Sequence, residues 1–213
     1  KADCFAEPLR YQYRRAVAVV KGIRDKKAPA RPRRAPGRLD PAPLSREIHR
    51  KESAVSTFRL GVIGPGLIWE RAHRPQIESL SGVFEPVAFS GRSDTTEAKV
   101  RRDYPEARFY RDYRELIADP EVDGVVILTP IPLNAPLAME VLRAGKVALM
   151  EKPIGVSVEE ARRLCEVEAE TDGRIYVLEQ APYNPVWETM DRVIRDGRIG
   201  RVAGYETARH VLL

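Results

Sequence analysis

From Phe58 to about residue 180, short apolar runs alternate with stretches whose apolar positions recur every three to four residues. The first pattern is that of β-strands and the second that of amphipathic helices. Six strands are expected: FRLGVIG, VFEPVAFS, ARFY, VDGVVILT, VALME and RIYVLEQ. Between them lie helical segments: one running from the glycines after the first strand to about Leu80, then DTTEAKVRRDY, DYRELIAD, PLNAPLAMEVLRAGK and SVEEARRLCEVEAETDG. Asp94 is placed to cap the second of these helices. Gly145 ends the fourth, and Ser157 with Glu160 forms a capping box for the fifth. VDGVVILT is apolar on both faces, as a strand buried inside a parallel sheet must be.

Strand and helix alternate at βαβ spacing, which predicts an α/β fold: a doubly wound parallel sheet with helices on both faces, of Rossmann type. NPVWETMDRVIRDGRIG continues as a further helix, and RVAGYETARHVLL is expected to begin a new strand. Three regions follow: an extension over 1–57, a dinucleotide-binding domain over 58–180, and the start of a second, truncated α/β domain over 181–213. Val186, Met190, Val193 and Ile194 recur at core spacing, and Trp69, Trp187 and the tyrosines read as packing residues. The face where a second domain would dock is expected to be apolar enough to invite self-association.

Charge changes the reading of the first region. Residues 1–59 carry 16 Lys and Arg against 6 Asp and Glu, whereas the rest of the chain is net acidic. The sequence pI near 9.3 therefore describes an extension and not the body, and nucleic acid is an unlikely partner. Residues 8–27 place Leu9, Tyr13, Val17, Val20 and Ile23 at helical spacing on a basic helix. Pro29, Pro32, Pro36, Pro41 and Pro43, interleaved with arginines, predict a partly disordered linker. A tether to DNA or an anionic membrane is the functional alternative for this segment. No apolar run reaches the ~18 residues a membrane helix needs. Cys4 and Cys165 are far apart and form neither a metal cluster nor a disulfide framework. A cytoplasmic protein with no metal site is expected. The chain opens on Lys1 and its first methionine is Met139, as expected of a trimmed, processed or partial product.

Three motifs carry chemistry. Gly64-Pro65-Gly66-Leu67-Ile68-Trp69 follows the first strand and opens a helix. Two glycines allow a tight turn and a close backbone approach to a pyrophosphate, which the helix N-terminus then faces. Trp69 stands where the usual third glycine would be. At the end of the second strand, Ser90-Gly91-Arg92-Ser93 lacks the acidic residue that binds the ribose hydroxyls of NAD. Arg92 and Ser93 instead suit a 2′-phosphate, so NADP is preferred over NAD. Glu151-Lys152-Pro153 follows the buried fifth strand. A lysine at the carboxyl end of a parallel strand faces the ligand crevice, where it can hydrogen-bond a substrate oxygen and help move its proton.

Taken in order over Phe58 to His210, these segments resemble the Gfo/Idh/MocA family, most specifically over VDGVVILTPIPLNAPLAMEVLRAGKVALMEKPIGVSVEEARRL. The resemblance implies a Rossmann domain followed by an α/β domain with an open sheet. It implies reversible hydride transfer between NAD(P) and a hydroxyl or keto group of a sugar, cyclitol or related small molecule. Lys152 matches the signature lysine that touches substrate and nicotinamide, Glu151 the signature glutamate, and Thr129 and Pro130 the loop beside the cofactor. Ile131, Asn134 and Pro182 depart from the family pattern, while Tyr183 keeps it. The Asp-x-x-x-His pair that family members carry in the second domain is absent, and would fall beyond Leu213. His49, His73 and His210 read as structural or solvated. A non-catalytic dinucleotide-binding module is the alternative to an oxidoreductase, and a homo-oligomer is expected of the full-length form.

Overall fold

The computed structural model describes residues 57–179, 185–204 and 206. The expected basic helix and linker of the extension, and Pro182, Tyr183, His49 and His210, lie outside the described residues. Six strands form one sheet: β1 Phe58–Ile63, β2 Phe84–Ser90, β3 Arg108–Tyr110, β4 Gly124–Ile127, β5 Val147–Glu151 and β6 Arg174–Leu178. Their order is β3-β2-β1-β4-β5-β6, with every neighbouring pair parallel. This is the doubly wound order, with its crevice where the chain reverses direction beside β1.

Helices cross between the strands. α1 combines a π-type turn, Trp69–His73, with Arg74–Glu78. α2 is Asp94–Asp103, α3 Tyr113–Ala118, α4 Ile131–Arg143, α5 Val158–Glu170 and α6 Pro185–Arg195. Side chains alternate across each strand, so two cores form. On one face Leu60, Val62, Phe89, Val126 and Leu149 pack with Trp69 and Ile77 of α1. On the other, Ile63, Val125, Ile127 and Met150 pack with Leu116, Val141 and Leu164 of α3, α4 and α5. Each fully buried side chain of this size contributes ~1.5–3 kcal/mol relative to exposure.

Pro86 lies within β2, where a missing N–H should break a ladder. β3 pairs only with Ala88, Phe89 and Ser90, and the β1–β2 register shifts between Leu60 and Gly61. The proline thus stands beside a bulge, on the part of β2 that β3 does not reach.

The expected caps hold with two corrections. Ser93, not Asp94, caps α2: its backbone is extended and its hydroxyl accepts the Thr96 N–H at 3.1 Å. Either residue can cap, and the one whose backbone stays extended does so, leaving Asp94 as a first-turn acid that favours the helix dipole. Ser157 caps α5 as expected, accepting from the Glu160 N–H. The Glu160 carboxylate, however, accepts the N–H of Val156 at 2.7 Å, one residue before the cap. Gly145, at φ +70°, ends α4: its N–H reaches Leu142 O and the Lys146 N–H reaches Val141 O, the paired closure of a helix ending in glycine.

Val186, Met190 and Ile194 of α6 are exposed, with Trp187 at 43%, which corrects the expectation that they sit in a core. Helical spacing shows that a helix has an apolar face, not that something covers it. The strand expected from Arg201 is absent over residues 201–204, and most of its remainder lies outside the described residues. Among the described residues no helix is long and apolar enough to cross a membrane.

Candidate functional site

The site residues of the three motifs, with Thr129 and Pro130, lie at the carboxyl end of a parallel strand or in the turn after it. β1 delivers Gly64 to Ile68, β2 Arg92 and Ser93, β4 Thr129 and Pro130, and β5 Glu151 and Lys152. The strand order sets β2, β1, β4 and β5 side by side, so residues up to 88 positions apart line one edge of the sheet.

Gly64 has φ +77°. A Cβ there would stand 2.7 Å from the Leu128 carbonyl oxygen and 3.4 Å from the Thr129 methyl. Gly64 therefore lets the β1 turn lie against the end of β4. Its N–H bonds Ser90 O at 3.0 Å, joining the turn to the end of β2 as well. Gly66 is exposed, and the nearest atom to a Cβ built on it is Gly64 O at 3.9 Å. The space above Gly66 is thus open, and the backbone can be approached closely, as a pyrophosphate requires. Leu67 and Ile68 are 61% and 50% exposed, and no side chain caps the helix start at Ile68. Trp69, where a third glycine would stand, turns inward and packs edge-on against Phe89 at 5.6 Å. It serves the core and leaves the turn clear.

Arg92 and Ser93 are both exposed at the β2–α2 turn. Ser93 holds Thr96 through its hydroxyl as well as capping the helix. Arg111, at the end of β3, was not foreseen. It donates to the Arg92 carbonyl at 2.8 Å and to Asp94 at 2.6 Å, and it pairs with Glu97. The Asp94 and then the Glu97 hydrogen bonds hold the Arg111 guanidinium above its usual range. Arg101, followed by Arg111, holds the Glu97 carboxyl below its own. Both acids near the turn are thus paired, whereas the Arg92 side chain forms no ion pair with a described residue.

The end of β5 is braced from two sides. Asn134, 1% exposed, donates to Glu151 O at 3.3 Å and Pro153 O at 3.4 Å, and accepts the Thr129 hydroxyl at 3.1 Å. His73, fully buried, donates from Nε2 to Glu151 Oε1 at 2.9 Å. Glu151 Oε2 accepts the Lys152 backbone N–H at 3.2 Å. The Lys152–Pro153 bond is cis, and Lys152 itself is exposed at the crevice. His73 is thus buried and not solvated. Ile131, in contrast, is exposed at the start of α4.

Asn134 and His73 were legible in part. A polar residue on the apolar face of a helix, as His73 is between Trp69 and Ile77, requires a buried partner. Which partner it takes depends on how α1 lies on β5, and sequence spacing does not contain that.

The family model described as an oxidoreductase family with an NAD-binding Rossmann fold, GFO_IDH_MocA, matches residues 58–179. YdgJ, an uncharacterized oxidoreductase of Escherichia coli (strain K12), is 32% identical over 70% of this chain and 42% of its own length. IolW of Bacillus subtilis (strain 168), a scyllo-inositol 2-dehydrogenase (NADP(+)), is 25% identical over 72% of this chain and 42% of its own. The chain thus spans about two fifths of the length of these relatives. The crystal structure of an oxidoreductase from Thermotoga maritima superposes with a TM-score of 0.65 at 27% identity, covering 68% of this chain and 44% of that one. Sheet order, glycine turn and sequence agree: the chain belongs to the Gfo/Idh/MocA family of oxidoreductases with an NAD-binding Rossmann fold.

Proposed function

We propose that this chain forms the dinucleotide-binding, lysine-bearing part of an enzyme that transfers hydride between NAD(P) and a hydroxyl or keto group of a sugar, cyclitol or related small molecule. The observation that carries this reading is the placement of Lys152, exposed at the end of β5 on the same sheet edge as the open glycine turn. When bound, the nicotinamide takes up or gives hydride. Lys152 would donate a hydrogen bond to the substrate oxygen and help carry its proton as the carbon gains or loses hydride. Gly64, Gly66, Leu67 and Ile68 would hold the pyrophosphate at the start of α1, with Thr129, Pro130 and Glu151 beside the nicotinamide end.

NADP is the favoured cofactor. Arg92 and Ser93 supply a cation and a hydroxyl where an NAD site has an acid, and IolW, a relative at 25% identity, is an NADP(+) enzyme. The division of the chain at 58–180, with 181–213 opening a substrate domain, belongs to the same proposal, as do cytoplasmic residence and a homo-oligomer of the full-length form. A non-catalytic binding module shares the cofactor site but predicts no turnover.

Fluorescence titration with NADPH and NADH tests the cofactor reading. Saturable binding with NADPH tighter is expected, and no binding of either would overturn it. Oxidation of inositols and aldoses by the longest natural form, lost in Lys152→Ala with dinucleotide affinity retained, separates the enzyme from the module.

A further inference from the structure

Parallel register sets the ends of β2 and β3 level: Ser90 pairs with Tyr110, and the Gly91 N–H reaches the Tyr110 carbonyl at 3.3 Å. Arg111, the first residue beyond β3, therefore stands beside the Arg92 turn. Its guanidinium is held from several sides. Nη1 donates to the Arg92 carbonyl at 2.8 Å and Nη2 to Asp94 Oδ1 at 2.6 Å. Nη2 also pairs with Glu97 Oε2, and the Phe109 ring centroid lies 5.6 Å from Cζ, within cation–π range. Glu97 is shared: its other oxygen, Oε1, accepts from Arg101 Nε at 2.9 Å and Nη2 at 2.6 Å. Asp94 is not shared, and among the described residues its ion-pair partner is Arg111 alone. With Glu97 answered by Arg101 and Asp94 by Arg111, Arg92 is the cation left over at the start of α2.

We infer that Arg111 is a further specificity-determining residue for the dinucleotide: it cancels the Asp94 carboxylate beside Arg92, so that the turn presents net positive charge to a 2′-phosphate. This rests on the reading of Arg92 given above. Arg111 need not touch the phosphate. A helix start favours an anion, and an acid in its first turn opposes a second anion at the same place. Without Arg111, Asp94 carries an unanswered negative charge there, and the phosphate meets a repulsion that NADH does not. No group has to move for this to follow, since the Asp94 side chain is already exposed to solvent.

Fluorescence titration of the chain with NADPH and with NADH gives a ratio of affinities that isolates the 2′-phosphate, because the two nucleotides differ only there. In Arg111→Gln the preference for NADPH is expected to fall about two- to fivefold, the range one exposed charge pair is worth, with NADH binding nearly unchanged. Arg111→Gln/Asp94→Asn, which removes the acid along with its partner, is expected to restore the wild-type ratio; Ser93 still caps α2 in both variants. Arg111→Lys, which keeps the charge but not the fork of donors, is expected to stay near the wild type. If the glutamine variant does not fold, Asp94→Asn alone takes its place, and its preference for NADPH is expected to rise by a similar factor; an unchanged ratio there overturns the proposal. A folded glutamine variant with the ratio of an NADPH-preferring wild type overturns the proposal and leaves the Arg92 reading standing. So does a double variant as impaired as the single one, because the loss would then come from the freed Arg92 carbonyl and not from charge. A wild type that binds NADH as tightly as NADPH overturns the Arg92 reading, and this proposal with it.

Discussion

A Cβ placed on Gly64 would lie 2.7 Å from the carbonyl oxygen of Leu128. That approach brings the β1 turn against the end of β4, and with it the glycine turn against Thr129. Gly64→Ala meets both a backbone clash and a left-handed conformation, the latter alone costing ~1–2 kcal/mol. Urea denaturation should show at least that loss. Gly66→Ala should leave stability within ~1 kcal/mol, since nothing lies nearer than 3.9 Å, yet weaken NADPH binding by filling the space the pyrophosphate needs. Equal effects of the two substitutions on folding would contradict this division of labour.

Arg92 separates the two cofactors. Removing its charge in Arg92→Ala should weaken NADPH binding by about tenfold, a charged hydrogen bond's worth, and leave NADH nearly unchanged. Arg92→Asp should invert the preference. Matched titrations of the variants with both nucleotides decide it, and equal losses for the two would remove the 2′-phosphate reading.

Asn134 is the polar bolt between β4 and β5. Asn134→Asp keeps the shape but removes the two N–H donors, leaving the carbonyls of Glu151 and Pro153 facing a carboxylate. A loss of ~1–3 kcal/mol is expected from the unsatisfied groups, measured as a lower urea midpoint. Because the same turn carries Lys152, hydrogen–deuterium exchange should quicken around residues 150–155 and not across β2.

Asp103 predicts a pH dependence. Arg102 donates to it at 2.6 Å and Arg74 at 2.5 Å, and these bonds, Arg102's first, hold its carboxyl well below the usual carboxylate range. A carboxyl lowered by folding stabilises the fold above its unfolded value, near pH 4, and that contribution fades as the pH falls toward the folded value. Asp103→Asn should therefore melt at a lower temperature at neutral pH, with the two melting curves converging below about pH 4. A gap that persists in acid would mean that packing, not charge, is responsible.

Much of this protein was legible without coordinates. Short apolar runs and period-3.6 patterning mark six strands and their helices, because a strand inside a parallel sheet is buried on both faces whereas a helix buries one stripe. Parallel order is expected because each intervening helix supplies the crossover that parallel pairing needs. Gly64, Gly66, Arg92 and Lys152 stood out because they sit at strand ends, where ligands bind in such sheets. What the linear pattern could not decide is which side chains meet across elements. The bonds of His73 to Glu151, Asn134 to Glu151 and Pro153, and Arg111 to Arg92, span 78, 17, 19 and 19 residues. Such contacts depend on the angle and depth at which a helix settles on the sheet, set by the summed packing of two cores. The exposed stripe of α6 makes the same point in reverse. Its spacing marks an apolar face, but only the tertiary structure shows whether that face is covered.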